Sequence, residues 1–462
     1  MQDENVKTEQ AGAKTHKLAS TPVKKLLIEM SVPMIISMFM QACYNIVDSI
    51  YVSRISEDAL SALSLAYAVQ FLMIALNVGT SVGVTALISR SLGEKNFENA
   101  NDYARHGIFI STIYTILFML FGFFITPKYY NFITNDAEII HEGISYLSII
   151  TIFSQPFFYV LTFEKMMQAT GKTFQSMITQ LTGAIINIIL DPILIFGMFG
   201  LPALGSSGAA IATVTGQFIG LILGIILNRI YNTDIKIELY KFKLSLEKIK
   251  NIYKIGLPSI VMQSLNSVVI FGLNRILISY RSQVAIIGIF HKFISFVYMP
   301  LFGLNNGMIP IVSYNFGAKN ERRVIDTIKF ACILATGIMF IGTLIFLIFP
   351  DKIFMLFAAD DHMMREGVKA FRIVSLHFIF AGANIILATA MQSCKREIYG
   401  LITEVFRQLI ILLPVSYFLS LKIGPNGVWF GYIISELLSL ILTSSLFMKT
   451  YKEEIKPLSN NA

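Results

Sequence analysis

Long apolar stretches alternate with short polar ones along nearly the whole chain, beginning near residue 25 and ending near residue 448. Each stretch reaches or exceeds the roughly 20 residues that an α-helix needs to cross the hydrocarbon core of a bilayer. They fall near 25–52, 59–89, 103–126, 144–164, 173–197, 208–229, 255–280, 283–311, 326–350, 368–392, 398–421 and 427–448. The longest polar segments are the N-terminal tail, a stretch near 230–254 and the last dozen or so residues, so little chain remains for a soluble domain. The pattern predicts an all-α polytopic membrane protein of about twelve transmembrane helices.

The chain also repeats itself after about 225 residues. Ile28–Pro33 (IEMSVP) opens a helix in the first half, as Tyr253–Pro258 (YKIGLP) does in the second. Ser89–Asn96 (SRSLGEKN) matches Ser313–Asn320 (SYNFGAKN), and Gly79 and Gly83 correspond to Gly303 and Gly307. An even number of helices per half makes both halves enter the membrane from the same side, so a pseudo-two-fold axis along the membrane normal relates two six-helix bundles. The expected domains are a disordered tail over 1–22, an N-terminal lobe over 23–230, a linker over 231–252, a C-terminal lobe over 253–449 and a tail over 450–462. Two such bundles leave a cleft near the midplane, and rocking one against the other would open it to each side in turn. The glycine pairs at four-residue spacing predict close helix packing. Pro33 and Pro258 each remove a backbone hydrogen bond, and Pro33 is the expected bend in the first helix.

Composition agrees with the periodicity: 55% of residues are hydrophobic and only 14% are charged. The net charge of +8 does not imply nucleic-acid binding, because Lys and Arg gather in the tails and in the loops on the same side. This positive-inside bias puts both termini in the cytoplasm, with the chain multi-pass in a bacterial inner membrane. Cys43, Cys332 and Cys394 lie in or beside apolar runs, and no disulfide framework is indicated.

An acidic residue within an apolar span is expensive and is a functional candidate by default. Asp48 lies well into the first helix and Asp191 deep in the fifth. Asn187, four residues before Asp191, shares its helix face, and Pro192 weakens the local backbone ladder. Either carboxyl could carry a proton, and the same oxygens with Asn187 and Thr213 could coordinate Na⁺; the residues alone leave both ions open. Glu164 is expected to snorkel to water and Glu29 to sit at the entrance of the first helix. The second half carries Arg275, Lys292, Glu404, Arg407 and Glu436, a candidate structural network or substrate site, with Glu404 and Arg407 placed to neutralise each other. The abundant Phe, Tyr and Met could supply an adaptable surface for flat cations. No Walker-type loop, nucleophile elbow or zinc signature occurs, so neither ATP-driven transport by this chain alone nor hydrolase chemistry is expected, and the chain is read as no enzyme.

These motifs resemble the multidrug and toxic compound extrusion (MATE) family, and within it the bacterial DinF-like branch. The resemblance runs over about residues 25–450 and is carried by Pro33, Tyr44–Asp48, Ser89–Gly93, Gln168–Lys172, Asn187 with Asp191-Pro192, and Arg407-Gln408 before Pro414. It implies an antiporter, acting as a monomer without a cofactor, that exports small organic cations as H⁺ or Na⁺ moves inward. Asp48, Asn187, Asp191 and Thr213 would then form the cation site, and Pro33 would match the bending proline. The resemblance does not extend to the acids of the NorM-like branch in helices 7 and 10, where this chain has Gln263 and Ala381–Asn384. The second copy of the Gln168 motif also departs, reading Gln392-Ser393-Cys394-Lys395-Arg396, and an altered loop is expected there. The strongest rival is a flippase for lipid-linked saccharides or other lipid precursors, which calls for a strongly cationic cleft.

Overall fold

A computed structural model describes residues 16–278, 280–355 and 361–461. Ten helices are long and apolar enough to cross a membrane, and two bent helix pairs raise the number to 12. In chain order these are α1 (Val23–Ser53), α2 (Glu57–Gly93), α3 (Phe97–Phe124), α4 (Ala137–Ile152 then Gln155–Ala169), α5 (Thr173–Phe196) and α6 (Gly205–Tyr231). The second half repeats them as α7 (Leu246–Leu277), α8 (Arg281–Gly317), α9 (Glu321–Ile348), α10 (Asp361–Ser375 then Phe378–Ser393), α11 (Glu397–Ile423) and α12 (Asn426–Thr450). The bends fall at equivalent places, 46° in α4 and 44° in α10.

Local chemistry explains the boundaries. The Ser56 hydroxyl accepts from the Ala59 amide at 2.9 Å, and Glu57 and Asp58 in the first turn of α2 meet the positive end of its dipole. The repeated motif folds twice in the same way. Lys95 and Lys319 take left-handed backbone angles (φ 58° and 56°), and Asn96 and Asn320 then cap α3 and α9 by accepting from the amides of Asn99 and Arg323. In α1 the helix runs unbroken through Pro33.

The glycine pairs pack, and they pack across the two lobes. A Cβ on Gly79 would lie 2.9 Å from the Gly256 carbonyl oxygen, and one on Gly83 would lie 2.4 Å from that of Ile252, where α2 crosses α7. Gly303 and Gly307 meet Ile35 and Ser31 equally closely where α8 crosses α1. Backbone contact of this kind replaces the hydrophobic drive that lipid withholds. At the end bearing the N-terminus, Gly93 abuts the Tyr314 carbonyl and Gly317 that of Arg90, while the Arg90 guanidinium donates to the Ser393 carbonyl at 2.9 Å. The lobes are sealed together at this end.

The tail departs from its expected disorder in its last residues; residues 1–15 lie outside those described. A short helix, Lys17–Ser20, buries Leu18 completely beside Gly171 of the N-terminal lobe. The carbonyls of Leu18 and Thr21 accept from Arg323 of the C-terminal lobe at 2.9 and 2.8 Å. His16 stacks on Tyr314 (ring centroids 4.7 Å apart) and lies 3.7 Å from Asp234. Burial, outweighing the pull of Asp234, holds its imidazole below the usual histidine range. Anchoring by backbone carbonyls leaves little trace in a polar sequence, which is why composition reads this stretch as free.

Candidate functional site

Among the described residues, each lobe encloses a cluster of polar and ionisable side chains. In the N-terminal lobe, Asn187 and Asp191 project from one face of α5, and Thr213 faces them from α6. The Asn187 amide donates to Asp191 Oδ1 and to Thr213 Oγ1, both at 3.2 Å. All three side chains are buried, Asp191 completely. Asp48 approaches from α1, close enough for its charge to act on Asp191. One of its faces lines a cavity of about 190 Å³ with Tyr67, Gln70 and Tyr146, while its Oδ1 is buried. Asp48 Oδ1, Asn187 Oδ1 and Asp191 Oδ2 are buried acceptors with no hydrogen-bond donor. Buried acceptors ordinarily find partners. An orphaned set of oxygens on two carboxylates and an amide suits a proton or a hard monovalent cation.

Residues around this set escaped the reading of the sequence. The Gln70 amide of α2 donates to the Tyr146 hydroxyl of α4 at 3.1 Å, on the edge of the cavity that Asp48 lines. Their signal, polar groups spaced along apolar helices, is common enough to pass unnoticed. Glu164 does not snorkel: it is 4% exposed, and its neighbour Lys165 donates to Gln168 at 2.9 Å and across the lobes to Asn306 of α8 at 3.3 Å. The short α4 segment turns this acid inward, which a hydropathy plot cannot show. Glu29 pairs with Lys17 at 3.1 Å near the start of α1.

In the C-terminal lobe, Arg407 donates to both Glu404 and Glu436. Asn384 donates to Glu436 Oε2 at 2.6 Å and to its backbone carbonyl at 3.0 Å, and Gln408 donates to Glu404. The expected Glu404–Arg407 pair is therefore part of a larger network reaching α10 and α12. Phe406–Leu412 forms a π-helical turn within α11, a distortion frequent at functional sites. Arg275 and Lys292 are exposed, unlike the members of this cluster. The second copy of the Gln168 motif keeps its turn despite the changed residues, because Lys395 adopts φ 67° where Gly171 has φ 81°.

The model of the MatE family matches residues 33–193 and 256–418, the two halves separately. The multidrug export protein MepA of Staphylococcus haemolyticus is 27% identical over 417 residues, 89% of this chain and 90% of that protein. MepA of Staphylococcus aureus (strain N315) is 28% identical over 424 residues, 90% and 91% of the two chains. Among solved structures, an outward-facing MATE family transporter of the MOP superfamily superposes with a TM-score of 0.88 at 23% identity, covering 95% of this chain and 99% of that one. A MOP superfamily transporter from Pyrococcus furiosus, described as having a binding pocket of reversed polarity, superposes with a TM-score of 0.86 at 22% identity, covering 97% and 99%. The duplicated match, the two crossings that join the halves and the 12 candidate spans agree on one conclusion: this chain is a multi-pass membrane protein belonging to the MatE family of multidrug and toxic compound extrusion transporters.

Proposed function

We propose that the chain exports cationic, amphipathic small molecules by alternating access in exchange for H⁺ or Na⁺ entering through the Asp48, Asn187, Asp191 and Thr213 site. The observation that carries this reading is the set of three buried, donorless oxygens on Asp48, Asn187 and Asp191. A positive charge satisfies them, and its departure leaves two carboxylates facing each other in an apolar lobe, a difference that can bias one conformation over another. The export direction and the small-molecule substrate class are supported by the likeness to MepA proteins. The distribution of basic residues supports placing both termini, and with them the sealed end of the lobes, in the cytoplasm of a cell with the chain in its inner membrane.

The test is efflux of ethidium from proteoliposomes under an imposed pH gradient or an imposed Na⁺ gradient. Wild type should be driven by one gradient, which names the ion. Asp48→Asn and Asp191→Asn should each lower gradient-driven efflux at least about tenfold, about 1.4 kcal/mol on the barrier of the driven step, with the protein still monodisperse. Normal efflux in both variants would remove this site from the mechanism.

A further inference from the structure

The duplication builds two equivalent grooves between the lobes at the end bearing the N-terminus. The matched segments of the repeat place Glu29, Tyr314 and Gly171 around one groove and their counterparts Lys254, Arg90 and Lys395 around the other. The N-terminal segment fills the first at all three positions. His16 stacks on Tyr314, Lys17 pairs with Glu29 at 3.1 Å and Leu18 packs against Gly171. The second groove receives no such segment among the described residues and is a cavity of about 260 Å³. Its walls come from both lobes: Arg90 of α2 and Tyr103 of α3 face Lys254 of α7 and Lys395 of the turn before α11.

Where the filled groove has an acid, a phenol and a glycine, its twin has three cations. Two carboxylates also line the cavity, Glu94 and Glu397, and Glu397 lies 3.9 Å from Lys254. Arg90 and Lys395 pair with no carboxylate among the described residues. Arg90 is 8% exposed; one terminal nitrogen donates to the Ser393 carbonyl at 2.9 Å, and its buried Nε has no acceptor. The Arg90 guanidinium and the Lys395 ammonium share the Phe316 ring, 5.5 and 5.7 Å from its centroid. A ring face attracts a cation weakly and carries no charge to neutralise two, while a buried cation without an anion is costly. The Tyr103 hydroxyl accepts from the Asn251 amide at 3.3 Å and keeps its own hydrogen to donate.

We propose that this cavity binds a phosphate group, whose oxygens are taken by Arg90 and Tyr103 of one lobe and by Lys395 and Lys254 of the other. Arginine and lysine converging with a hydroxyl donor suit a compact anion with several acceptor oxygens. The bound anion does for this groove what the N-terminal segment does for its twin, joining the lobes at the sealed end. Opening that end would carry the two sides of the site apart, so the anion favours the sealed state. The group belongs either to the headgroup of an anionic lipid or to a free phosphate.

The test uses detergent-purified full-length protein and reads the temperature at which monodisperse protein is lost. Inorganic phosphate, compared with chloride at equal ionic strength, should raise this midpoint saturably. Half-saturation should move up at least about tenfold in Arg90→Gln and in Lys395→Gly, one variant from each lobe. Phosphatidylglycerol, compared with an equal amount of phosphatidylcholine, is the second probe. A rise with inorganic phosphate assigns the site to a free phosphate, and a rise confined to phosphatidylglycerol assigns it to a lipid headgroup. Either response should persist when Asp48→Asn and Asp191→Asn are combined, which separates this site from the ion-coupling reading above. No rise with either probe, loss of the rise in the combined Asn variant, or half-saturation unchanged in either cavity variant overturns the proposal. Should Arg90→Gln not yield monodisperse protein, Lys395→Gly, which installs the residue of the twin groove, decides alone.

Discussion

Asp48 and Asp191 were visible as exceptions, because an acid in an apolar helix carries a cost that is seldom retained unless the residue serves a function. Their surroundings were not, since Gln70 and Tyr146 come from other helices, whose mutual rotation only the packed bundle sets. The same limit hid the role of Asn384, an ordinary amide until Glu436 of α12 is placed beside it. Lys395 shows the reverse case, in which a changed motif predicts a changed loop. The loop keeps its backbone and the lysine takes a left-handed conformation at φ 67°, which disfavours any residue with a Cβ by about 1–2 kcal/mol. Lys395→Gly should therefore stabilise the protein by about 0.5–1 kcal/mol and raise its thermal midpoint, as read by the loss of monodisperse protein on heating. A lowered midpoint would show that the Lys395 ammonium, 5.7 Å from the Phe316 ring centroid, matters more than the strain.

The helices themselves were legible from hydropathy. Which helices touch was not. Spacing of Gly79 with Gly83 and of Gly303 with Gly307 foretold a close partner but could not name one, and each pair turns out to receive a helix of the other lobe. A side chain at Gly83 has nowhere to go, because the obstruction is the Ile252 backbone rather than a flexible side chain. Gly83→Val should wedge α2 from α7 at a cost of about 1–3 kcal/mol. The expected readout is a longer distance between spin labels placed on the two lobes at the sealed end, with loss of efflux. An unchanged distance distribution would mean that the crossing relaxes without opening the lobes.

At the scale of the whole molecule, the duplication was plain in the sequence, whereas the fastening of the two lobes by the N-terminal segment was not. That segment holds Gly171 of one lobe through Leu18 and Arg323 of the other through two carbonyls, with His16 between Tyr314 and Asp234. Because burial lowers the His16 pKa in the docked state, protons bind preferentially when the segment is released. Docking should be strongest above the free histidine value of about 6.5 and weaken as pH falls from there toward the docked value. Proteolysis or hydrogen exchange of residues 16–22 at about pH 7.5 and pH 5.5 should show greater release at the lower pH, and His16→Phe, which keeps a ring against Tyr314, should abolish the difference. The two glycine crossings have a different consequence. Each joins the first helix of one half to the second helix of the other, so what a half needs for completion is a copy of its own surface, turned about the membrane normal. A six-helix ancestor could have met that need by pairing with itself, and tandem joining of its gene would have required no new interface, only a linker.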